Sequence, residues 1–150
     1  MHLKNERRNI MGIKQVSVFV ENKKGSLHEI TDLLAKANID LRSMCIADTS
    51  DYGIVRMIAD DSEKAMKVLA EAGHTANVRE VTAFAVPDEP GGLAKALNLL
   101  ESNGVNIEYL YALVTTETDK AYTVLRTDDS AKAEAVLAAS NIELLDEKHI

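Results

Sequence analysis

The sequence carries one pattern twice, and this duplication limits the folds that the chain can adopt. Gly25 and Gly91 lie 66 residues apart, and each follows a run of alternating apolar residues and opens a helical pattern. The same shift superimposes residues 38–41 on residues 104–107, and after a slightly longer loop the shift becomes 68 residues. Because several features repeat in the same order, the chain is predicted to contain two copies of one structural unit.

Each copy changes its apolar period in the order strand, helix, strand, strand, helix, strand. The predicted elements of the first copy are a strand through residues 16–20, a helix from residue 26, strands 40–48 and 53–59, a helix over 62–72 and a strand over 76–80. Those of the second copy are a strand over 81–86, a helix over 91–103, strands 106–114 and 120–127, a helix over 130–139 and a strand over 142–147. This order is the ferredoxin-like arrangement. The predicted fold class is therefore α+β, with two ferredoxin-like βαββαβ units whose antiparallel sheets carry helices on one face.

The predicted domains are residues 13–80 and 81–150, preceded by a disordered extension over residues 1–12 that carries no apolar pattern. Ser26 and Glu29 fit a capping box at the start of the first helix. The Asp pairs at 60–61 and 128–129 fit caps of the second helix in each copy.

Two helices cover only one face of a four-stranded sheet. The opposite face of the second copy is expected to carry Val81, Ala83, Ala85, Tyr122, Val124 and Arg126. This set is too apolar to face water, which favours a homodimer that covers it.

Composition excludes several classes of function. The 24 acidic and 17 basic residues give a net charge of −7, which disfavours binding to nucleic acid and to anionic membranes. No apolar run is long enough to span a bilayer, and the single cysteine, Cys45, rules out an intrachain disulfide. A cytoplasmic location is therefore expected. The four histidines lack the spacing of metal ligands, and no nucleophile, base and orienting group assemble. We therefore predict that the chain is not an enzyme and that it binds neither a metal nor a cofactor.

Two motifs at matching positions resemble the signature of the ACT domain family. They are Asn22-x-x-Gly25-x-Leu27 with Ile39-Asp40-Leu41, and Asp88-x-Pro90-Gly91-x-Leu93 with Val105-Asn106-Ile107. The resemblance covers residues 13–147. It implies a stand-alone sensor that binds a free amino acid or a related carboxylate between two copies and regulates a separate metabolic enzyme.

The glycine loops give this expectation a physical basis. The start of a helix leaves backbone N–H groups unpaired and carries partial positive charge, and both favour a carboxylate. The resemblance implies that each loop faces the second strand of the other copy. The first predicted site comprises Asn22, Gly25, Ser26 and Leu27 with Asn106, Ile107 and Tyr109. The second comprises Asp88, Gly91, Gly92 and Leu93 with Asp40 and Leu41. The first site, with two neutral amides, is expected to suit a zwitterion better than the second, with two carboxylates.

Two other functions stay open at this point. One is a regulatory or structural subunit that binds a protein and no small molecule. The other is an RNA-binding module of the same strand order, which the acidic charge and the single aromatic residue in 120–125 disfavour.

Overall fold

The order of helices and strands repeats in the structure, as the duplication predicts. The computed structural model describes residues 12–48 and 51–150. Within them the chain forms, in order, β1 (Gly12–Glu21), α1 (Ser26–Lys36), β2 (Leu41–Asp48), β3 (Tyr52–Ala59), α2 (Ser62–Glu71), β4 (Ala76–Pro87), α3 (Gly92–Ser102), β5 (Ile107–Leu113), β6 (Lys120–Thr127), α4 (Ser130–Ala139) and β7 (Glu143–Leu145). A short 3-10 helix, Glu147–His149, follows. The predicted extension lies outside the described residues except for Gly12, which begins β1.

Contacts divide the described chain into a first unit, Lys14–Glu80 with Ile150, and a second unit, Val81–His149 with residues 12–13. In the first unit the strand order is β2-β3-β1-β4, and β3 pairs antiparallel with both of its neighbours. In the second unit the order is β5-β6-β4-β7, and β6 pairs antiparallel with β4 and β5. The predicted α+β class with two βαββαβ units is confirmed.

Each unit has its own apolar core between its sheet and its two helices. The first core contains Val16, Val18, Ile30, Leu34, Val55, Met57, Ala65 and Leu69. The second contains Phe84, Val86, Ala96, Leu100, Leu125, Ala133 and Leu137. These residues follow the strand and helix periods of the sequence, and each buried Leu or Val contributes about 1.5–3 kcal/mol to folding.

The boundary between the two units falls inside a continuous strand. The sequence predicts separate strands over 76–80 and 81–86, whereas β4 runs unbroken from Ala76 to Pro87. No glycine or proline interrupts this segment before Pro87, so the backbone stays extended through the boundary.

The helix caps correct two of the expectations. Gly25, not Ser26, is the N-cap of α1, and no side chain caps this helix, so the predicted capping box is wrong. Asp61 does cap α2, and Asp129 caps α4; each accepts a hydrogen bond of 3.0 Å from a backbone N–H of its helix. Asp60 and Asp128 have a different role, described below.

The sheet face opposite the helices is more buried than the sequence indicates. In the second unit Val81, Ala83, Ala85, Tyr122 and Val124 are each at most 7% exposed in the isolated chain. A second copy is therefore not needed to shield them, and the homodimer stays a prediction.

Candidate functional site

The glycine loop of the first unit leaves part of the α1 start open. Gly25 has φ +86°, a left-handed conformation that glycine adopts without the steric cost of a Cβ. Ser26 N–H donates to the Lys23 carbonyl at 3.3 Å, and Glu29 N–H donates to the Gly25 carbonyl at 2.9 Å. Within the described part of the chain, the N–H groups of Leu27 and His28 have no acceptor. Two donors at the positive end of the helix are thus available to a ligand.

The loop of the second unit repeats this geometry. Gly91 also has φ +86°, and α3 likewise has no side-chain cap. Gly92 N–H donates to the Glu89 carbonyl at 3.1 Å, which leaves the N–H groups of Leu93 and Ala94 without an acceptor among the described residues. Gly92 is also required by close packing, because a Cβ there would overlap the carbonyl oxygen of Pro87.

The other half of each predicted site is held by an aspartate. The backbone N–H of Asp40 donates to the Asp60 carboxylate at 3.0 Å, and the Asp60 N–H returns a bond to the Asp40 carbonyl at 3.0 Å. Asn106 and Asp128 make the same two bonds in the second unit, at 3.0 and 3.1 Å. Asp60 and Asp128 therefore hold the starts of β2 and β5 in place. The sequence predicts these two residues to be helix caps, and that prediction is wrong, because Asp61 and Asp129 are the N-caps.

The remaining predicted side chains have packing roles. Leu41 packs against the core of the first unit, and Leu93 and Ile107 pack against that of the second. Tyr109 stacks on the buried Tyr111 with ring centroids 6.5 Å apart. The predicted sites combine a loop of one unit with a strand of the other, and those combinations stay predictions.

A cavity of about 230 Å³ lies beside the glycine loop of the first unit. This first cavity is lined by Phe19, Val20, Glu21, Lys23, Ser26, Glu29, Gly73, His74 and Thr75. It forms where the end of β1 meets the turn after α2, since Phe19 N–H donates to the Thr75 carbonyl at 3.1 Å. Lys23 Nζ pairs with the Glu21 carboxylate at 3.3 Å. His74 Nε2 lies 3.7 Å from the Glu29 carboxylate and makes no hydrogen bond with any residue that the structure describes.

A second cavity, of about 520 Å³, occupies the equivalent place in the second unit. It is lined by Ala85, Val86, Pro87, Glu89, Gly92, Lys95, Ala96, Asn98, Leu99, Ser102, Ser140, Asn141 and Ile142. Shifts of 66 and 68 residues superimpose its main lining positions on those of the first cavity.

Of the residues predicted from sequence, only Ser26 and Gly92 line these cavities. The turns at Gly73 and Asn141 were missed, because they lie about fifty residues from the glycine loops in sequence. The fold itself carries the missing signal. In a βαββαβ unit the last strand lies beside the first, which brings the turn after the second helix next to the glycine loop.

The described residues also bear on three other features: a metal site, a reactive cysteine and a membrane-spanning helix. They contain no group of three His, Cys, Asp or Glu side chains that could hold a metal ion. Burial raises the pKa of the Cys45 thiol, although Arg56 acts in the opposite direction. The raised pKa disfavours a reactive thiolate. No helix among them is long and apolar enough to cross a membrane.

Comparisons with known proteins agree with this architecture. The family model of the ACT domain pair matches residues 11–150. The crystal structure of protein BT0572 from Bacteroides thetaiotaomicron is 40% identical, with a TM-score of 0.87, and covers 93% of this chain and 95% of that one. The regulatory subunits of aspartate kinase from Thermus thermophilus (ligand-free form) and Thermus flavus share the fold at 18% and 17% identity, with TM-scores of 0.65 and 0.59. Their alignments cover 89% and 87% of this chain and 93% and 94% of those chains. No curated protein sequence matched. The match over nearly the whole chain shows that this protein belongs to the ACT domain pair family.

Proposed function

We propose that this chain is a regulatory protein that senses a free amino acid or a related carboxylate and modulates a separate metabolic enzyme. Its family is one of regulatory domains, and two proteins of the same fold are regulatory subunits of aspartate kinase. The proposal includes a cytoplasmic location and a homodimer, in which ligand binding shifts the orientation of domains that a partner enzyme contacts.

One observation carries the ligand part of the proposal. Both glycine-led helix starts keep two backbone N–H groups without an acceptor among the described residues, at Leu27 and His28 and at Leu93 and Ala94. Backbone donors at the positive end of a helix bind a carboxylate without further side chains. A cavity lies next to each helix start and is lined by the first residue of the helix, Ser26 in the first unit and Gly92 in the second.

A thermal-shift screen of the twenty amino acids tests this function. A ligand that binds only the native state adds about 1 kcal/mol or more to the free energy of unfolding once its concentration exceeds the Kd severalfold, and this raises the melting temperature. We expect at least one amino acid to do so. If none raises the melting temperature at millimolar concentration, amino-acid sensing is excluded.

Calorimetry on variants then locates the site. Because Asn22 offers a neutral amide and Asp88 a carboxylate, Asn22→Ala is expected to weaken binding of a zwitterion more than Asp88→Ala does. Asn77→Ala, the same substitution on exposed β4, is the matched control. Equal losses, or a loss in Asp88→Ala alone, would contradict the proposed preference.

A protein-binding subunit without a small-molecule ligand is the second candidate. It is favoured by four large apolar side chains that stay exposed in the first unit: Phe19 at 46%, Leu27 at 39%, Ile46 at 47% and Tyr52 at 50%. The rings of Phe19 and Tyr52 lie 6.3 Å apart. Recovery of an enzyme in pull-downs with or without added amino acid, together with its loss in Phe19→Ser, would favour this second function.

A further inference from the structure

The two cavities differ in how their charges are balanced. In the first cavity each charge faces a partner contributed by the same unit. Lys23 lies 3.3 Å from Glu21, and Glu29 lies 3.7 Å from His74. A ligand carboxylate that entered this cavity would have to compete with Glu21 for Lys23.

In the second cavity the two equivalent positions carry charges of opposite sign, and uncharged residues replace the neighbours that face them in the first cavity. Glu89 stands at the position equivalent to Lys23, and Pro87 replaces the carboxylate that would have paired there. Lys95 stands at the position equivalent to Glu29, and Ile142 replaces the histidine. Neither Lys95 nor Glu89 forms an ion pair with any residue that the structure describes, although both line the cavity. One cation and one anion thus remain available for a ligand of opposite charges.

The second cavity is larger than the first, and more of its lining is apolar. Ala85 lines the second cavity where Phe19 lines the first. Ala96 also lines it, at the position where the first unit has the core residue Ile30. Leu99 and Ile142 contribute apolar surface on facing elements. The cavity volume rises from about 230 to about 520 Å³.

We propose that the second cavity binds an α-amino acid with a bulky apolar side chain. Lys95 pairs with the ligand carboxylate, Glu89 pairs with its ammonium group, and Leu99 and Ile142 contact its side chain. Both charges are present without a partner and the apolar volume between them is open, so a zwitterion satisfies the charges and buries apolar surface in one step. This inference rests on the proposed function for the ligand class. It concerns a further site, inside the second unit and without Asn22, so Asn22→Ala is expected to leave leucine binding in this cavity unchanged.

Isothermal titration calorimetry of the full chain tests the ligand class. L-leucine and L-phenylalanine are expected to bind. L-alanine, which lacks the bulky side chain, is expected to bind at least tenfold more weakly. The same is expected of 4-methylpentanoate, which is leucine without its ammonium group, and of 3-methylbutylamine, which is leucine without its carboxylate. If the acid alone binds as tightly as leucine, Glu89 has no such role and the proposal fails.

Variants of the second cavity test the location. Lys95→Glu places a negative charge on the exposed surface of α3, and we expect it to weaken leucine binding about tenfold or more. Lys132→Glu makes the same change on exposed α4, away from the cavity lining, and should alter binding less than twofold. Ala96→Ile restores the bulk of the first unit and should abolish binding. Because Ala96 is buried, Ile142→His provides a second test at a less buried position, with a similar loss expected.

The two proposals can fail separately. Binding of leucine that survives Lys95→Glu and Ile142→His, or binding of polar amino acids alone, overturns this assignment and leaves amino-acid sensing in place. Absence of binding by all twenty amino acids overturns both proposals.

Discussion

Substituting Gly92 by alanine tests the close packing at the start of α3. A Cβ at this position would overlap the carbonyl oxygen of Pro87 and lie 3.4 Å from its carbonyl carbon. The carbonyl cannot easily retreat, because it accepts the Glu89 N–H at 2.9 Å and Pro87 is paired with Lys120 of β6. Forcing an extra methyl group into a packed site costs about 1–3 kcal/mol, and the higher helix propensity of alanine returns at most about 1 kcal/mol.

We therefore expect Gly92→Ala to lower the free energy of unfolding by about 1–2 kcal/mol. For a chain of this length that is a fall of about 2–8 °C in melting temperature. Urea denaturation followed by circular dichroism measures the first quantity, and a thermal melt measures the second.

Gly91 provides the matched control, since its requirement is conformational. A Cβ there would have no heavy atom within 4 Å, but φ is +86°. Gly91→Ala should cost about 1–2 kcal/mol, and Gly91→Asn should cost less because asparagine tolerates this conformation. Asparagine should bring no such relief at Gly92. A Gly92→Ala variant as stable as the wild type, or rescue by asparagine at this position, would refute the packing argument.

Three further predictions concern single side chains. Asp128→Ala removes the acceptor of the Asn106 N–H and should lower the free energy of unfolding by about 1 kcal/mol in urea denaturation; an unchanged midpoint would contradict the assigned role. The hydrogen bond from Tyr122 lowers the pKa of the Glu117 carboxyl, so it stabilises the fold at neutral pH and the effect is lost as pH falls through the lowered pKa. Tyr122→Phe should therefore be less stable than the wild type at pH 7, with a smaller difference at about pH 3 in thermal melts; an equal difference at both pH values would oppose this. Because burial raises the pKa of the Cys45 thiol, its reaction with a disulfide reagent at pH 8 should be slower than in urea, and equal rates would exclude the effect.

The fold could be predicted from the sequence because apolar periodicity and duplication reinforce one another. Apart from β4, which joins two predicted strands, each α-helix and strand among the described residues overlaps a segment predicted to be of the same kind. The residues that cap the helices were predicted less well from the sequence. The positive φ of Gly25 places Ser26 inside α1 as its first residue, so its hydroxyl does not act as an N-cap. Of two consecutive aspartates, Asp61 caps the helix while Asp60 binds the start of β2, a contact across twenty residues that no local pattern reports.

The cavities could not be predicted from motifs, because their walls come together through strand order. His74 and Glu29 lie on different elements, and their proximity follows from the adjacency of β1 and β4. The sequence does contain the substitutions that distinguish the two cavities, such as Ile142 for His74 and Lys95 for Glu29. Their meaning depends on the structure, which shows that they line equivalent spaces.

The aromatic residues have an uneven placement that gives the two units different optical signals. The chain has no tryptophan and four tyrosines, of which Tyr109, Tyr111 and Tyr122 belong to the second unit and Tyr52 to the first. Intrinsic fluorescence excited at the tyrosine band therefore reports mainly on the second unit, whereas the far-ultraviolet dichroic signal averages over both. Coincident transitions in the two signals would mean that the units melt together, and separated transitions would give each unit its own stability without any label.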